Sequence, residues 1–163
     1  MTMVTEIMEK VPYTCPAGAT VGDVIRQLAN VQVTGVPIVD GDMRLVGYIT
    51  DGDIMRFIAP RKPQVYSWCE HMPILVDDDP VEEKMQVLLD KPVLEIASRK
   101  KIYAEVDWDI SEVADLFRRE KVKKIAVLDG GRVVGVVTES AIIRHILQKI
   151  LPGAGPEEPD GAA

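Results

Sequence analysis

Thr50 and Asp53 are the two residues of this 163-residue chain whose types and spacing best suit binding chemistry. They lie three residues apart, where an apolar segment at 45–49 gives way to a predicted helix. Backbone N–H groups at a helix start lack partners and favour an anion or a polar ligand. The same spacing also forms a capping box, in which the hydroxyl and the carboxylate bind those N–H groups without any ligand. The local sequence leaves both interpretations open.

The stretch 33–58 around these residues is predicted to form a strand, a turn, a second strand and a helix. Two short apolar runs flank a Gly-Asp pair, and an amphipathic run follows them. The pattern appears again at 122–146 with one residue fewer in the turn. Upstream, Val4 matches Val93, and this offset of 89 residues holds without a gap as far as Val122. The chain is therefore an internal duplication, which decides its architecture.

Each copy is predicted to run strand, helix, strand, strand, helix, which places the chain in the α/β (α+β) class. The first helix of each copy starts at a capping box, formed by Thr20 with Asp23 and by Asp109 with Glu112. One copy alone buries too little apolar surface to be stable, so we expect the two to pack together.

The chain divides into four predicted segments, namely a first repeat at 1–59, a helical insertion at 60–91, a second repeat at 92–151 and an acidic tail at 152–163. In the insertion, a short helix is predicted at 64–72, and a second helix is predicted to start with Asp79 as its cap. The insertion is apolar enough to pack on the body of the protein or on a second subunit. The tail has no bulky apolar residue and is expected to be disordered.

Composition and charge exclude several classes of function. A net charge of −7 argues against a general electrostatic grip on nucleic acid or on an anionic membrane. No apolar run reaches the roughly 20 residues that a membrane-spanning helix needs, and the first residues lack the pattern of a secretion signal. The two cysteines, Cys15 and Cys69, make no disulfide framework. We therefore expect a cytoplasmic protein without nucleic-acid or membrane partners.

Both copies resemble the cystathionine-β-synthase (CBS) domain, and the chain is similar to a stand-alone tandem CBS pair over about 3–147, apart from the insertion. The resemblance rests on an apolar strand ending in Asp40 or Asp129, a glycine turn, and then Gly47-Tyr-Ile-Thr50-x-x-Asp53 or Gly135-Val-Val-Thr138. It implies two βαββα repeats packed with pseudo-two-fold symmetry into a Bateman module, which commonly forms a homodimer. It also implies clefts that bind adenosine-containing ligands (AMP, ADP, ATP or S-adenosylmethionine), with no cofactor required.

The resemblance further implies that Thr50 and Asp53 hold the ribose hydroxyls of such a ligand. A carboxylate suits a vicinal diol, because an ionised acceptor makes the stronger hydrogen bonds. Lys123 and Lys124 match the family's position for phosphate contacts, although such residues are otherwise ordinary solvated lysines. The remaining expected ligand contacts are the adenine walls Tyr48, Val36 and Pro37, the far-side residues Met8, Val11 and Tyr13, and the second-repeat threonine Thr138.

The second repeat departs from the family pattern, because Thr138-Glu-Ser-Ala141 has an alanine where the aspartate should be. Alanine cannot accept a hydrogen bond from a diol, and losing a charged acceptor removes roughly 1.5–3 kcal/mol. Glu139 lies about 100° around the helix from that position. We therefore expect one nucleotide per chain, bound at Thr50 and Asp53.

The leading functional hypothesis is a non-catalytic sensor that passes ligand binding to an effector protein or to its own dimer. The alternative is a structural dimerisation or interaction module with a vestigial cleft, in which the insertion and the last helix form the interface. An enzyme is disfavoured, because no acid–base or nucleophile pattern stands out, and Cys69 and His71 alone do not make a metal site. Arg56 and Arg144, at matched positions of the final helices, are either ion-paired surface residues or neighbours of a phosphate.

Overall fold

The structure is a computed structural model, and it describes residues 1–10, 12–31, 35–60 and 79–153. The first repeat contains β1 (Cys15–Pro16), α1 (Val21–Val31), β2 (Gly35–Val39), β3 (Leu45–Thr50) and α2 (Asp51–Ile58). The second repeat contains β4 (Tyr103–Glu105), α4 (Ile110–Glu120), β5 (Lys124–Asp129), β6 (Arg132–Thr138) and α5 (Glu139–Ile150). The insertion contributes α3 (Val81–Leu89), and short 3-10 turns at Val4–Glu6 and Val93–Glu95 precede the two repeats.

The order of elements confirms the prediction of a mixed α+β fold built from two βαββα repeats. The two three-stranded sheets have equivalent strand orders, β1-β2-β3 and β4-β5-β6. In the second sheet, β4 runs parallel to β5, and β5 pairs antiparallel with β6. Short β-branched segments of this kind favour strands, and the glycine turns between them allow the chain to reverse.

The described chain forms two compact units, and each unit combines parts of both repeats. The Asp53 unit consists of Cys15–Ile38 and Val46–Lys100, and the Ala141 unit consists of Met1–Thr14, Val39–Leu45 and Lys101–Ala163. Each unit is named here after the third residue of the helix that directly follows the last strand of its sheet, α2 in one unit and α5 in the other. The repeats thus exchange their N-terminal segments, because Val93 packs in the core with first-repeat residues and Val4 packs in the core with second-repeat residues.

The core of the Asp53 unit gathers the apolar faces of its sheet, its helices and the insertion helix. Val36, Ile38 and Ile49 from the sheet pack with Val24 from α1 and with Leu88 from α3. Helix α3 contacts both α1 and α2, so this part of the insertion packs on the body as expected. A Cβ on Gly22 would lie 2.9 Å from the Leu89 carbonyl oxygen, so glycine is needed where α1 meets α3.

The predicted aspartate cap of α3 is wrong. Pro80 occupies the cap position, in an extended conformation with φ −57° and ψ 144°, and no side chain accepts a hydrogen bond from the helix start. Because proline takes the position that Asp79 was expected to fill, the carboxylate lies one residue too early to serve the helix.

The Ala141 unit has an equivalent core, in which Val4 packs with Val113, Phe117, Ile125 and Ile142. Its N-terminal segment is held by hydrogen bonds on two sides. The Thr2 carbonyl accepts from the Ile110 N–H at 2.9 Å, and the Thr2 hydroxyl accepts from the Lys149 ammonium at 2.8 Å. The first residues of the chain are therefore an integral part of the second repeat's fold.

Several predicted features lie outside the described residues, namely Val11, the short helix at 64–72 with Cys69 and His71, and the tail from 154 onward. Among the helices that the structure does describe, none is both long enough and apolar enough to cross a membrane.

Candidate ligand-binding site

Thr50 ends β3 and caps α2, and Asp53 is the third residue of that helix. The Thr50 hydroxyl accepts a hydrogen bond from the Asp53 N–H at 3.3 Å. In return, Oδ2 of Asp53 accepts from the Thr50 N–H at 2.9 Å and from the Thr50 hydroxyl at 3.1 Å. The capping box is therefore formed, and only one of the two carboxylate oxygens takes part in it.

The other oxygen, Oδ1 of Asp53, accepts a hydrogen bond from Nη1 of Arg56 at 3.1 Å. The Arg56 side chain is 76% exposed, whereas that of Asp53 is only 5% exposed. Burying a carboxylate costs free energy unless its oxygens are hydrogen-bonded. In the described part of the chain, Oδ2 relies on Thr50 and Oδ1 relies on this one exposed guanidinium.

The residues around the Thr50 cap are small or closely paired. A Cβ on Gly35 would lie 3.2 Å from Cγ2 of Thr50, so glycine lets the start of β2 pass close to the junction. Tyr48 lies two residues before Thr50 and so projects from the same face of β3. The backbone of Tyr48 exchanges two hydrogen bonds with Ser98, each 2.9 Å long. Gly47 lies against this segment so closely that a Cβ would collide with the Ser98 carbonyl oxygen.

The three predicted adenine walls are placed unevenly in the Asp53 unit. Val36 and Pro37 are consecutive residues of β2 and so project from opposite faces of the strand. Val36 belongs to the core of the unit, and Pro37 is buried as well. Tyr48 is half-buried and is the wall residue that lies beside Thr50. A ligand contact stays a prediction for all three.

The second junction repeats the threonine cap without the acid. The Thr138 hydroxyl accepts a hydrogen bond from the Ala141 N–H at 3.1 Å, as Thr50 does from Asp53. Lys124 pairs with Thr138 across the sheet, and the Lys123 carbonyl accepts from the Glu139 N–H at 3.1 Å. Both lysines thus lie beside the junction of their own repeat.

Lys124 is half-buried, and this burial lowers its pKa. The negative charge of Glu9 acts in the opposite direction. The sequence allowed Lys124 to be either a phosphate contact or an ordinary solvated lysine. Its partial burial distinguishes it from a freely solvated lysine.

Five predicted contacts belong to the Ala141 unit rather than to the Asp53 unit, namely Met8, Tyr13, Lys123, Lys124 and Thr138. Met8 lies beside β6, where a Cβ on Gly135 would be 2.6 Å from its sulfur. The backbone of Glu9 exchanges hydrogen bonds of 2.8 and 3.1 Å with Val136. That these residues share a ligand with Thr50 and Asp53 stays a prediction.

The sequence analysis missed the segment 97–99, which lies beside β3 next to the Thr50 junction. Ser98 pairs with Tyr48 just as Glu9 pairs with Val136 in the other unit. The offset of 89 residues carries this signal, because it maps Glu9 onto Ser98 in the same register. The offset does not say which of the two sheets each segment joins.

Helix α1 begins with the same arrangement as α2, at an exposed position. Oδ2 of Asp23 accepts from the Thr20 N–H at 3.1 Å and from its hydroxyl at 3.0 Å, and Oδ1 accepts from Arg26 at 3.3 Å. The N–H and then the hydroxyl of Thr20 hold the pKa of Asp23 below its usual 3.8. The Asp23 side chain is 57% exposed, so this cap needs no burial of its carboxylate.

Cys15 is the free cysteine of the described residues, and its side chain is buried. Burial, assisted by the charge of Asp23, raises the pKa of the Cys15 thiol to about 11, which keeps it in the unreactive protonated form. Within the described ranges, no three His, Cys, Asp or Glu side chains are close enough together to hold a metal ion.

Comparison with known proteins matches this geometry to one family. The sequence model of the CBS domain matches the chain twice, at residues 4–60 and 93–148. Inosine-5′-monophosphate dehydrogenase of Aquifex aeolicus is 27% identical over 136 residues, which cover 82% of this chain but only 22% of the enzyme. The chain therefore corresponds to a small part of that relative.

Two solved structures share the fold. The protein CBSX2, crystallised in complex with AMP, gives a TM-score of 0.69 at 19% identity, over 92% of this chain and 99% of that one. The CBS domain pair of protein MJ0100 was crystallised in complex with 5′-methylthioadenosine and S-adenosyl-L-methionine. It gives a TM-score of 0.65 at 24% identity, over 91% of this chain and 98% of that one.

Proposed function

The chain belongs to the CBS-domain family, and we propose that it is a non-catalytic regulatory module that binds an adenosine-containing ligand at the Asp53 junction. The expected ligands are AMP, ADP, ATP and S-adenosylmethionine, which share the ribose and the adenine. Two proteins of the same fold were crystallised with AMP and with S-adenosyl-L-methionine, which supports this choice.

One observation carries the proposal, namely the burial of Asp53. The capping boxes of α1 and α2 have the same bonds, yet the carboxylate of Asp23 is exposed and that of Asp53 is enclosed. Enclosing a carboxylate is unfavourable and adds nothing to the cap itself. Oδ1 of Asp53, whose partner among the described residues is the exposed Arg56, is well suited to accept a hydrogen bond from a ligand's ribose.

Ligand binding regulates a protein only if the ligand prefers one of two states. We propose that the bound nucleotide changes the recognition of an effector protein or the self-association of the chain. The Thr50 junction is a suitable point of transmission, because it connects β3, helix α2 and the paired segment at 97–99.

A thermal-shift experiment with AMP, ADP, ATP and S-adenosylmethionine tests the proposal. A ligand at 100 times its Kd stabilises the protein by about 2.7 kcal/mol, which raises Tm by roughly 5–10 °C for a chain of this size. Asp53→Ala is expected to abolish the shift, whereas Asp23→Ala, the matched change in the exposed capping box, keeps it. The proposal fails if no ligand moves Tm, or if Asp53→Ala responds like the wild type.

A separate observation favours a second candidate, an interaction module that forms a homodimer through α5. Five apolar side chains of this helix and its end are exposed, namely Ile143, Ile146, Leu147, Ile150 and Leu151. The spacing of the first four places them along one side of the helix. In the Asp53 unit, α3 covers the equivalent pair of helices and buries Leu88 there.

We propose that a second copy of the chain covers this side of α5. Ile143→Glu combined with Ile150→Glu is expected to convert a dimer to a monomer in light scattering. Met55→Glu is the control, because Met55 is a similarly exposed apolar residue on α2, outside both the insertion and the last helix. A mass unchanged by the double substitution, or lowered by the control, contradicts this interface.

A further inference from the structure

The two oxygens of the Asp53 carboxylate differ in how firmly the fold holds their hydrogen-bond partners. Oδ2 is held by the Thr50 N–H and hydroxyl, which are fixed by the end of β3 and the start of α2. Oδ1 is held by Arg56 alone among the described residues, and that side chain is 76% exposed. Oδ1 is therefore the oxygen whose partner can leave without disturbing the fold.

The arginine end of the Arg56–Asp53 contact is open to water, although Asp53 itself is buried. Solvent screens the charge of an exposed guanidinium and so weakens its ion pair. The arginine loses side-chain freedom on pairing, and water can solvate its guanidinium on release. A ligand hydroxyl that donates to a charged acceptor makes a stronger bond than such an exposed pair.

We propose that Arg56 competes with the ribose hydroxyls of the ligand for Oδ1 of Asp53 and thereby sets the affinity of the site. This inference rests on the proposed function. Thr50 and Asp53 are proposed to provide the affinity for the ligand, and Arg56 is proposed to lower it. When the ligand binds, its hydroxyl replaces the guanidinium on Oδ1, and the Arg56 side chain rotates away into the solvent. The Thr50 bonds to Oδ2 stay in place throughout.

Two other arginines in the described chain serve as internal references. Arg26 makes the same bond to Asp23 on α1, where the acid is exposed and no ligand is proposed. Arg144 occupies the position of Arg56 on α5, where Ala141 replaces the acid. If Arg56 acts by competition for Asp53, a change at Arg26 or at Arg144 has no effect on that competition.

Isothermal titration with AMP and with 2′,3′-dideoxy-AMP tests the competition. Removing the arginine in Arg56→Ala is expected to tighten AMP binding about two- to fivefold, the range given by exposed ion pairs. Binding of the dideoxy analogue changes less, because it lacks the hydroxyls that compete. Any effect of the lost charge on the phosphate is common to both nucleotides. It therefore cancels in the ratio of the dideoxy-AMP Kd to the AMP Kd, and competition predicts that Arg56→Ala raises this ratio. Arg26→Ala and Arg144→Ala leave that ratio at its wild-type value.

The ratio also separates this inference from the proposed function. If Arg56→Ala leaves the ratio unchanged or lowers it while AMP still binds, competition is excluded and the proposed function survives. If neither the wild type nor Arg56→Ala binds AMP, AMP binding fails at this site and the competition fails with it. Arg56→Gln, which keeps more of the side-chain packing, repeats the test should the alanine variant not fold.

Discussion

The two strand-to-helix junctions of this protein differ in the residue that follows the capping threonine by three positions. Each junction has a glycine three residues before a capping threonine, and an arginine six residues after that threonine. Each glycine lies against the N-terminal segment of the other repeat. Between threonine and arginine, the first repeat has Asp53 and the second has Ala141.

The second junction shows that a helix can be capped here without an acid at the third position. Helix α5 begins at Thr138 with its cap bond formed and is longer than α2, although Ala141 offers no carboxylate. Helix α1 shows that an acid at this position can serve a cap while remaining exposed. Capping therefore does not require the burial of Asp53, and on this ground we propose that the ligand binds at this junction.

The largest expected effect concerns the glycines and tests whether the two junctions are held equally tightly. Gly47→Ala is expected to destabilise the protein by roughly 3 kcal/mol, because the added methyl group meets the fixed carbonyl of Ser98. Gly135→Ala is expected to cost less, since the nearest atom is the flexible Met8 sulfur at 2.6 Å, with the Glu9 carbonyl at 2.9 Å. Urea unfolding measures both values, and an equal or reversed order contradicts this account of the contacts.

Restoring the acid in the second repeat tests the comparison in the other direction. Ala141→Asp is expected to create a second AMP site at the Thr138 junction. This junction should then bind AMP about 10- to 100-fold more tightly than it does with Ala141, the equivalent of one charged hydrogen bond. Isothermal titration then gives two nucleotides per chain.

Ser140→Asp is the control for this gain, because it adds the same charge about 100° away around the helix. A second site in the control, or none in Ala141→Asp, shows that the acid at this position does not decide binding.

Removing the capping hydroxyls tests the part that the junctions share. Thr50→Val and Thr138→Val are each expected to lower the free energy of unfolding by about 1 kcal/mol, because each removes an N-cap acceptor. Only Thr50→Val is expected to weaken AMP binding as well. Chemical denaturation and titration of the same samples separate the two effects, and equal losses of affinity contradict the assignment.

The smallest effect is the pH dependence of the exposed capping box. The pKa of Asp23 is lowered on folding, so the native state binds fewer protons there than the unfolded state, and the bond stabilises the protein above the ordinary value of 3.8. This contribution is lost as the pH falls through the lowered pKa. The Tm difference between the wild type and Asp23→Asn is therefore nearly constant above about pH 5 and shrinks below it. A difference that grows on acidification contradicts the sign.

Local sequence accounts for the elements, the threonine caps and the missing acid at Ala141, because each depends on residues a few positions apart. It does not account for the exchange of N-terminal segments. The offset of 89 residues matches Met8 with Ala97 but does not say which sheet each one joins, and long-range packing makes that selection. The difference between Asp23 and Asp53 was also beyond local sequence, because Thr-x-Gly-Asp-x-x-Arg occurs at both. Burial depends on the surrounding fold, which that motif does not contain.

A crystal structure of the protein grown with AMP tests the central claim most directly. The account predicts one nucleotide per chain, with its ribose hydroxyls within hydrogen-bond distance of the Asp53 carboxylate and with Arg56 released from Oδ1. A nucleotide bound at the Thr138 junction, or one bound elsewhere while Arg56 still holds Asp53, would contradict it.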